Sequence, residues 1–206
     1  MKTGISLLLT IASFISIAQT RIGTIGAFQV VDKEIQVGDL VLYYPVEPVR
    51  VEGALWLTLE LGNQPLATFI ELTKENRMKL ISILESYNKL KNVIETPEKL
   101  PNSQNLGQIT VRAAFGKQGA YNLDPAQNVL FYVKFDKNGK KTLAMAVGKL
   151  ESKNNAGTTH GVPLLWFDDK MVNDFLSEVS EENIAAFLRN KGKTISPDAL
   201  KLMHEN

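Results

Sequence analysis

Residues 54–94 read ALWLTLELGNQPLATFIELTKENRMKLISILESYNKLKNVI, and the hydrophobic period changes within them. Over residues 54–61, Leu55, Leu57, Leu59 and Leu61 share one face of a strand, with Trp56, Thr58 and Glu60 on the other. Gly62-Asn63-Gln64-Pro65 turns the chain into a second strand, 66–72, so the pair reads as a hairpin. Thr73 then offers an N-cap to a helix expected to run to Ile94, because Leu80, Ile83, Leu84, Tyr87, Leu90 and Ile94 recur at steps of three and four. At 1.5 Å per residue such a helix is about 30 Å long, enough to cross a sheet. Pro97 and Pro101 end it, and residues 101–106 read as a polar connector.

Downstream, alternation predicts strands over 108–115 and 129–135. Asp136-Lys137-Asn138-Gly139 is the clearest turn in the chain, since Asn-Gly tolerates the positive φ of a hairpin. A strand over 142–150 follows, then a flexible stretch over 152–161 and a short apolar strand over 163–167. Asp168 caps a helix with Met171, Val172, Phe175, Leu176 and Val179 inward, and Ser180 caps a successor carrying Ile184, Phe187 and Leu188, stopped by Gly192. Ser196-Pro197 opens a last short helix. Upstream, residues 28–32 and 40–44 are β-rich and separated by Gly38-Asp39. Pro45 and Pro48 limit pairing, and residues 20–26 read as a loose leader.

One pattern recurs. Leu72-Thr73 precedes Leu80-Ile81-Ser82, and Phe167-Asp168 precedes Phe175-Leu176-Ser177 at the same offset, each after a strand pair. Any strand running into a capped helix looks alike, so the echo alone does not establish a duplicated strand–strand–helix unit. The expected fold class is α+β: a mostly antiparallel sheet of about six to eight strands with two main helices on it. Residues 19–206 form its single domain, with a division near 97–107 as the alternative.

Composition bounds the function. The chain has 206 residues, 44% hydrophobic, with 23 Lys and Arg against 22 Asp and Glu and no cysteine. That apolar content supports a folded core, and the balanced charge gives no field to recruit nucleic acid. Without cysteine, disulfides, thiolate metal sites and thiol nucleophiles are excluded. At the N-terminus, Lys2 precedes an apolar run over 5–18, ending in Ser16-Ile17-Ala18 as a signal-peptidase site with Gln19 as the first mature residue. The run is about 14 residues, short of the roughly 20 that span a bilayer, although an uncleaved anchor or a buried helix is the other reading. A lipid anchor would need a cysteine, so after cleavage no stable membrane anchor is expected. No Asn-x-Ser/Thr sequon occurs. Export without cysteine or sequon points to a bacterial periplasmic or secreted protein.

Chemistry-bearing motifs are sparse. The two histidines, His160 between Gly157 and Gly161 and His204 near the end, lack metal-ligand spacing, so neither metal nor cofactor is expected. Asp168 and Asp169 could do acid–base work, but acids in a helix's first turn already favour its dipole. No Gly-x-Ser-x-Gly elbow or Ser-x-x-Lys pattern appears. What remains is a mixed aromatic and charged surface: Trp56, Tyr132 and Arg112 on the polar sides of their strands, joined by Tyr43, Tyr44, Trp166 and the His160 loop. The plainer account has these aromatics covered by a helix.

These residues give three expectations. The first is an exported, non-lipidated binding module for an unspecified protein or small molecule. The second is a hydrolase assembled from His160, Asp168 and Asp169. The third is a structural subunit docking through a sheet edge.

Overall fold

The fold is taken from a computed structural model, in which residues 19–31, 34–45, 55–60, 67–91, 103–117, 120–153, 155–162 and 164–191 are described. The expected signal segment 1–18, Pro48, the turn expected at Gly62 to Pro65, Ile94, Pro97, Pro101, Pro163, Gly192, the helix expected at Ser196 and His204 lie outside the described residues. So do the side chains of Trp56 and Tyr44.

The protein is α+β. Eight antiparallel strands follow one another round a closed barrel: β1 (Gln19–Val31), β2 (Glu34–Pro45), β3 (Leu55–Glu60), β4 (Ala67–Leu72), β5 (Ser103–Lys117), β6 (Ala120–Phe135), β7 (Lys141–Ala146) and β10 (Leu165–Phe167). Between β7 and β10, strands β8 (Gly148–Glu151) and β9 (Thr159–Val162) form a separate two-stranded sheet. Helix α1 (Lys74–Lys89) follows β4, while α2 (Asp169–Val179) and α3 (Glu181–Lys191) follow β10.

Alternation decides which residues fill the barrel. In register across neighbouring strands, Ile25 pairs with Leu40, Leu40 with Leu59 and Leu42 with Leu57. Leu57 then pairs with Ile70, Phe131 with Met145, and Phe167 with Leu143. All are fully or almost fully buried in one apolar cluster, which also takes Leu80, Leu84 and Tyr87 from α1 and Val172, Phe175 and Val179 from α2. Burial of each such side chain stabilises by about 1.5–3 kcal/mol, which outweighs the weak local preferences of the strands themselves.

Strand continuity is the main departure from the sequence reading. The expected leader 20–26 is paired strand, with Gly23 opposite Leu42 and Ile25 opposite Leu40. β2 runs through Gly38-Asp39, because Ala27 and Gly26 pair with those two residues. β5 starts at Ser103 and β6 at Ala120, making one long hairpin from what reads as a connector and an unassigned stretch. Backbone pairing is blind to side-chain polarity, so polar strand ends carry no alternation. The expected strand 142–150 breaks after Ala146, where Gly148 takes φ +83° and starts the β8–β9 hairpin; β9 occupies part of the stretch expected to be flexible.

The helices begin where expected. The Thr73 hydroxyl accepts from the Asn76 amide at 3.2 Å, and the Asp168 carboxylate from the Met171 amide at 2.9 Å. Ser180 Oγ accepts from the Asn183 amide at 3.1 Å, opening α3. α1 ends early, at Lys89 instead of Ile94, since Leu90 turns extended with its amide on the Tyr87 carbonyl. Lys141, almost fully buried, fixes that end: its ammonium donates to the Tyr87 carbonyl at 3.0 Å and to the Leu90 carbonyl at 2.8 Å. A cation suits the negative end of the helix dipole and its free carbonyls. Arg77 treats α2 alike, donating to the Val179 carbonyl at 3.1 Å and pairing with Glu181.

The echo in the sequence extends to the whole fold. β1–β4 and α1 repeat as β5–β7, β10 and α2, with the β8–β9 hairpin inserted in the second half. Both leading hairpins bulge at the same place, between Arg21 and Gly23 and between Asn105 and Gly107. Register then makes Gly23 answer to Gly107, Leu42 to Phe131, Leu57 to Met145 and Ile70 to Leu165. Each helix packs on the leading strand of the other half: Ile83 of α1 lies over Gly107, while Met171 and Glu178 of α2 lie over Gly26 and Gly23. β4 and β10 run in the same direction, so both helices leave one end of the barrel and meet there, with Asn88 donating to Asn173 at 2.8 Å.

Candidate functional site

The sequence-singled residues fall into four places. Tyr43, Trp56 and Glu71 are consecutive register partners across β2, β3 and β4. Arg112 comes one step beyond the last paired residues of β4 and β5, Ile70 and Ala113, and is the single β5 residue opposite a bulge in β6, where Pro125 and Ala126 stand between the paired Asp124 and Gln127. Tyr44 pairs by backbone with Thr20.

In the second half, Tyr132 answers to Tyr43. Its ring meets Trp166 edge-on at 6.4 Å, and the Lys134 ammonium stands 5.6 Å from the Trp166 ring. Both rings are half-buried and flank Ala144, their shared register neighbour, which is fully buried. This cluster lies on the barrel's outer face. Burial also lifts the Tyr132 hydroxyl above its ordinary range.

His160 belongs to β9, at the end of the barrel away from the helices. Its Nε2 is 3.0 Å from Thr68 Oγ1, and its ring stacks on Phe115 at 5.4 Å. Desolvation there lowers its pKa. Asp168 is the cap of α2. Asp169 accepts from the Tyr87 hydroxyl at 2.8 Å and stands 3.7 Å from the Lys141 ammonium, tying α1 to α2. Burial, with that carboxylate beside it, holds the Tyr87 hydroxyl far above the usual phenol range. No contact among the described residues joins His160 to either aspartate, so the geometry gathers no acid–base pair from them.

The residue that sequence reasoning missed is Glu71. It stands between Ile70 and Leu72, whose side chains fill the barrel, and so turns outward next to α1. Its side chain is 3% exposed. Oε1 is buried with no hydrogen-bond donor, although Arg112 Nη1 lies 3.5 Å away. Burial pushes the carboxyl pKa up, and the guanidinium offsets part of that. An ionised acid without donors is costly in such a place.

Glu71 and Arg112 line a cleft of about 570 Å³ between the first turns of α1 and the outer face of β5. Thr73 and Asn76 contribute from α1, Gln108 and Thr110 from β5. Asn76 Nδ2 donates to the Thr110 carbonyl at 2.9 Å, so the helix start is pinned to the strand. Glu75 and Lys79, which also line the cleft, neutralise each other at 2.6 Å. The lining therefore offers one buried acceptor, one half-exposed guanidinium and several neutral polar groups. It has no hydroxyl–imidazole pair, and among the described residues no group of three His, Cys, Asp or Glu could hold a metal.

The internal repeat supplies a comparison within the molecule. Glu71 answers to Trp166, and Arg112 to Phe28. Phe28 and Trp166 are the register pair that joins β1 to β10. At these equivalent backbone positions one half of the repeat carries two aromatic residues, and the other an acid and a base. No helix among the described residues is long and apolar enough to cross a membrane. Neither a protein-family model, nor a curated protein, nor a solved structure matches this chain.

Proposed function

We propose that this chain is an exported, non-lipidated binding module of the bacterial envelope or exterior, and that its ligand site is the cleft between α1 and β5. The observation that carries the reading is the buried Glu71 carboxylate, whose Oε1 lacks a donor in a polar cleft where the repeat uses an aromatic pair. A charged pair in such a position is on average no more stabilising than well-packed apolar groups. Breaking a local packing rule without structural gain is the usual mark of a binding site. The cleft volume falls in the range of small-molecule sites.

The test is a thermal-shift screen of a metabolite library against the full mature chain and its Glu71→Gln variant. Compounds that raise the melting temperature of the native chain and not of the variant support the reading. A library that shifts both proteins equally, or neither, overturns it. Export is checked separately: the chain produced in a bacterial host is recovered outside the cytoplasm with Gln19 at its N-terminus, or it is retained with residues 1–18 attached.

A further inference from the structure

We infer that the cleft recognises a small zwitterion, a primary ammonium and a carboxylate a few bonds apart, as in a free amino acid. This inference rests on the cleft being the ligand site and names what it takes.

The buried Glu71 Oε1 is an acceptor without a donor. The carboxylate lines the cleft, and a ligand ammonium drawn against it, with a small turn of the carboxyl group to expose Oε1, brings both a charge-assisted hydrogen bond and a countercharge. Arg112 does not fill that role: its Nη1 is 3.5 Å from Oε1 and makes no hydrogen bond to it. Its side chain is 44% exposed, which leaves the guanidinium fork available to a carboxylate in bidentate fashion. The start of α1 on the same wall favours negative charge at that side of the ligand.

Net charge points the same way. The charged lining residues are Glu71, Glu75, Lys79 and Arg112, which sum to zero. Glu71 already faces Arg112 at 3.5 Å, so a ligand that enters the pair and keeps the lining balanced brings one charge of each sign. The short Glu71–Arg112 spacing sets the reach, so the ligand's two charged groups must be close neighbours in its covalent frame. Ligands whose groups are separated by a long chain would satisfy one partner only.

The experiment titrates the full mature chain with the common L-amino acids at millimolar concentration, followed by backbone amide shifts in NMR. The tightest binder is then compared with its decarboxylated amine and its deaminated acid. The inference expects shifts at Thr73, Asn76, Thr110 and Arg112, and affinity at least about tenfold weaker for each half-ligand. Arg112→Gln, its folding checked by far-UV circular dichroism because it removes the cation beside Glu71, should lose a similar factor for the amino acid and no affinity for the amine. If either half-ligand binds as tightly as the parent, or no amino acid moves those amides, the zwitterion inference fails. The library screen above then decides whether the cleft still binds something else, so the two failures are distinguishable.

Discussion

At the scale of single residues, Glu71 and Lys141 illustrate opposite fates of a buried charge. Lys141 is satisfied by two helix-terminal carbonyls and the Tyr87 ring, whose centroid is 4.2 Å from its ammonium. Lys141→Met should cost about 1–3 kcal/mol by leaving those carbonyls without a donor, read as a lowered denaturation midpoint. Glu71 has only the Arg112 guanidinium at 3.5 Å, which makes no hydrogen bond to Oε1, and burial holds its folded pKa above the unfolded value. Its contribution is therefore fully present below the unfolded pKa and is lost as pH rises through the folded pKa. Glu71→Gln keeps the shape and removes the charge, while the half-exposed Arg112 stays solvated. The variant should accordingly be more stable than the native chain at pH 7, by about 1 kcal/mol, with the difference vanishing in acid. Melting curves over a pH series check this; a native chain that is the more stable at pH 7 would refute it.

Among elements, the helices and the Asp136–Gly139 turn were legible because their signals are local. Thr73, Asp168 and Ser180 each cap the helix they precede. In the turn, the Asp136 carboxylate accepts from the Asn138 and Lys140 amides while Gly139 takes φ +74°. The long strands were not legible, because half of β1 and β6 is polar and small. Yet Ile22-Gly23-Thr24-Ile25 and Leu106-Gly107-Gln108-Ile109 are the same motif in equivalent bulges. It goes unnoticed when residues 20–26 are read as a leader and 101–106 as a connector. The glycine in it is required: Gly107 has φ +135°, and a Cβ there would stand 3.3 Å from Ile83 of α1. Gly107→Ala should cost about 1–3 kcal/mol through backbone strain and loosen α1 from β5. Faster amide exchange in α1 than in α2 would report the loosening; equal protection of the two would argue against it.

For the molecule as a whole, sheet closure was beyond sequence reading, since it depends on which distant strands become neighbours. Glu71 was missed for a related reason: nothing along its own strand marks it, and only its place beside Arg112 and opposite Trp166 in the repeat does. One apolar cluster draws on both halves, and each helix covers the other half's strand. Unfolding in urea should therefore be a single transition, coincident by tryptophan fluorescence and far-UV circular dichroism. Two separated transitions would mean that the halves stand alone. The Phe28–Trp166 pair adds a matter of timing. It ties β1 to β10, so the barrel cannot close until the chain has been made through Phe167. High contact order of this kind slows folding. If the proposed export holds, that delay would be useful: a chain that cannot finish its barrel early would meet a translocation channel still threadable, and would complete itself on the far side.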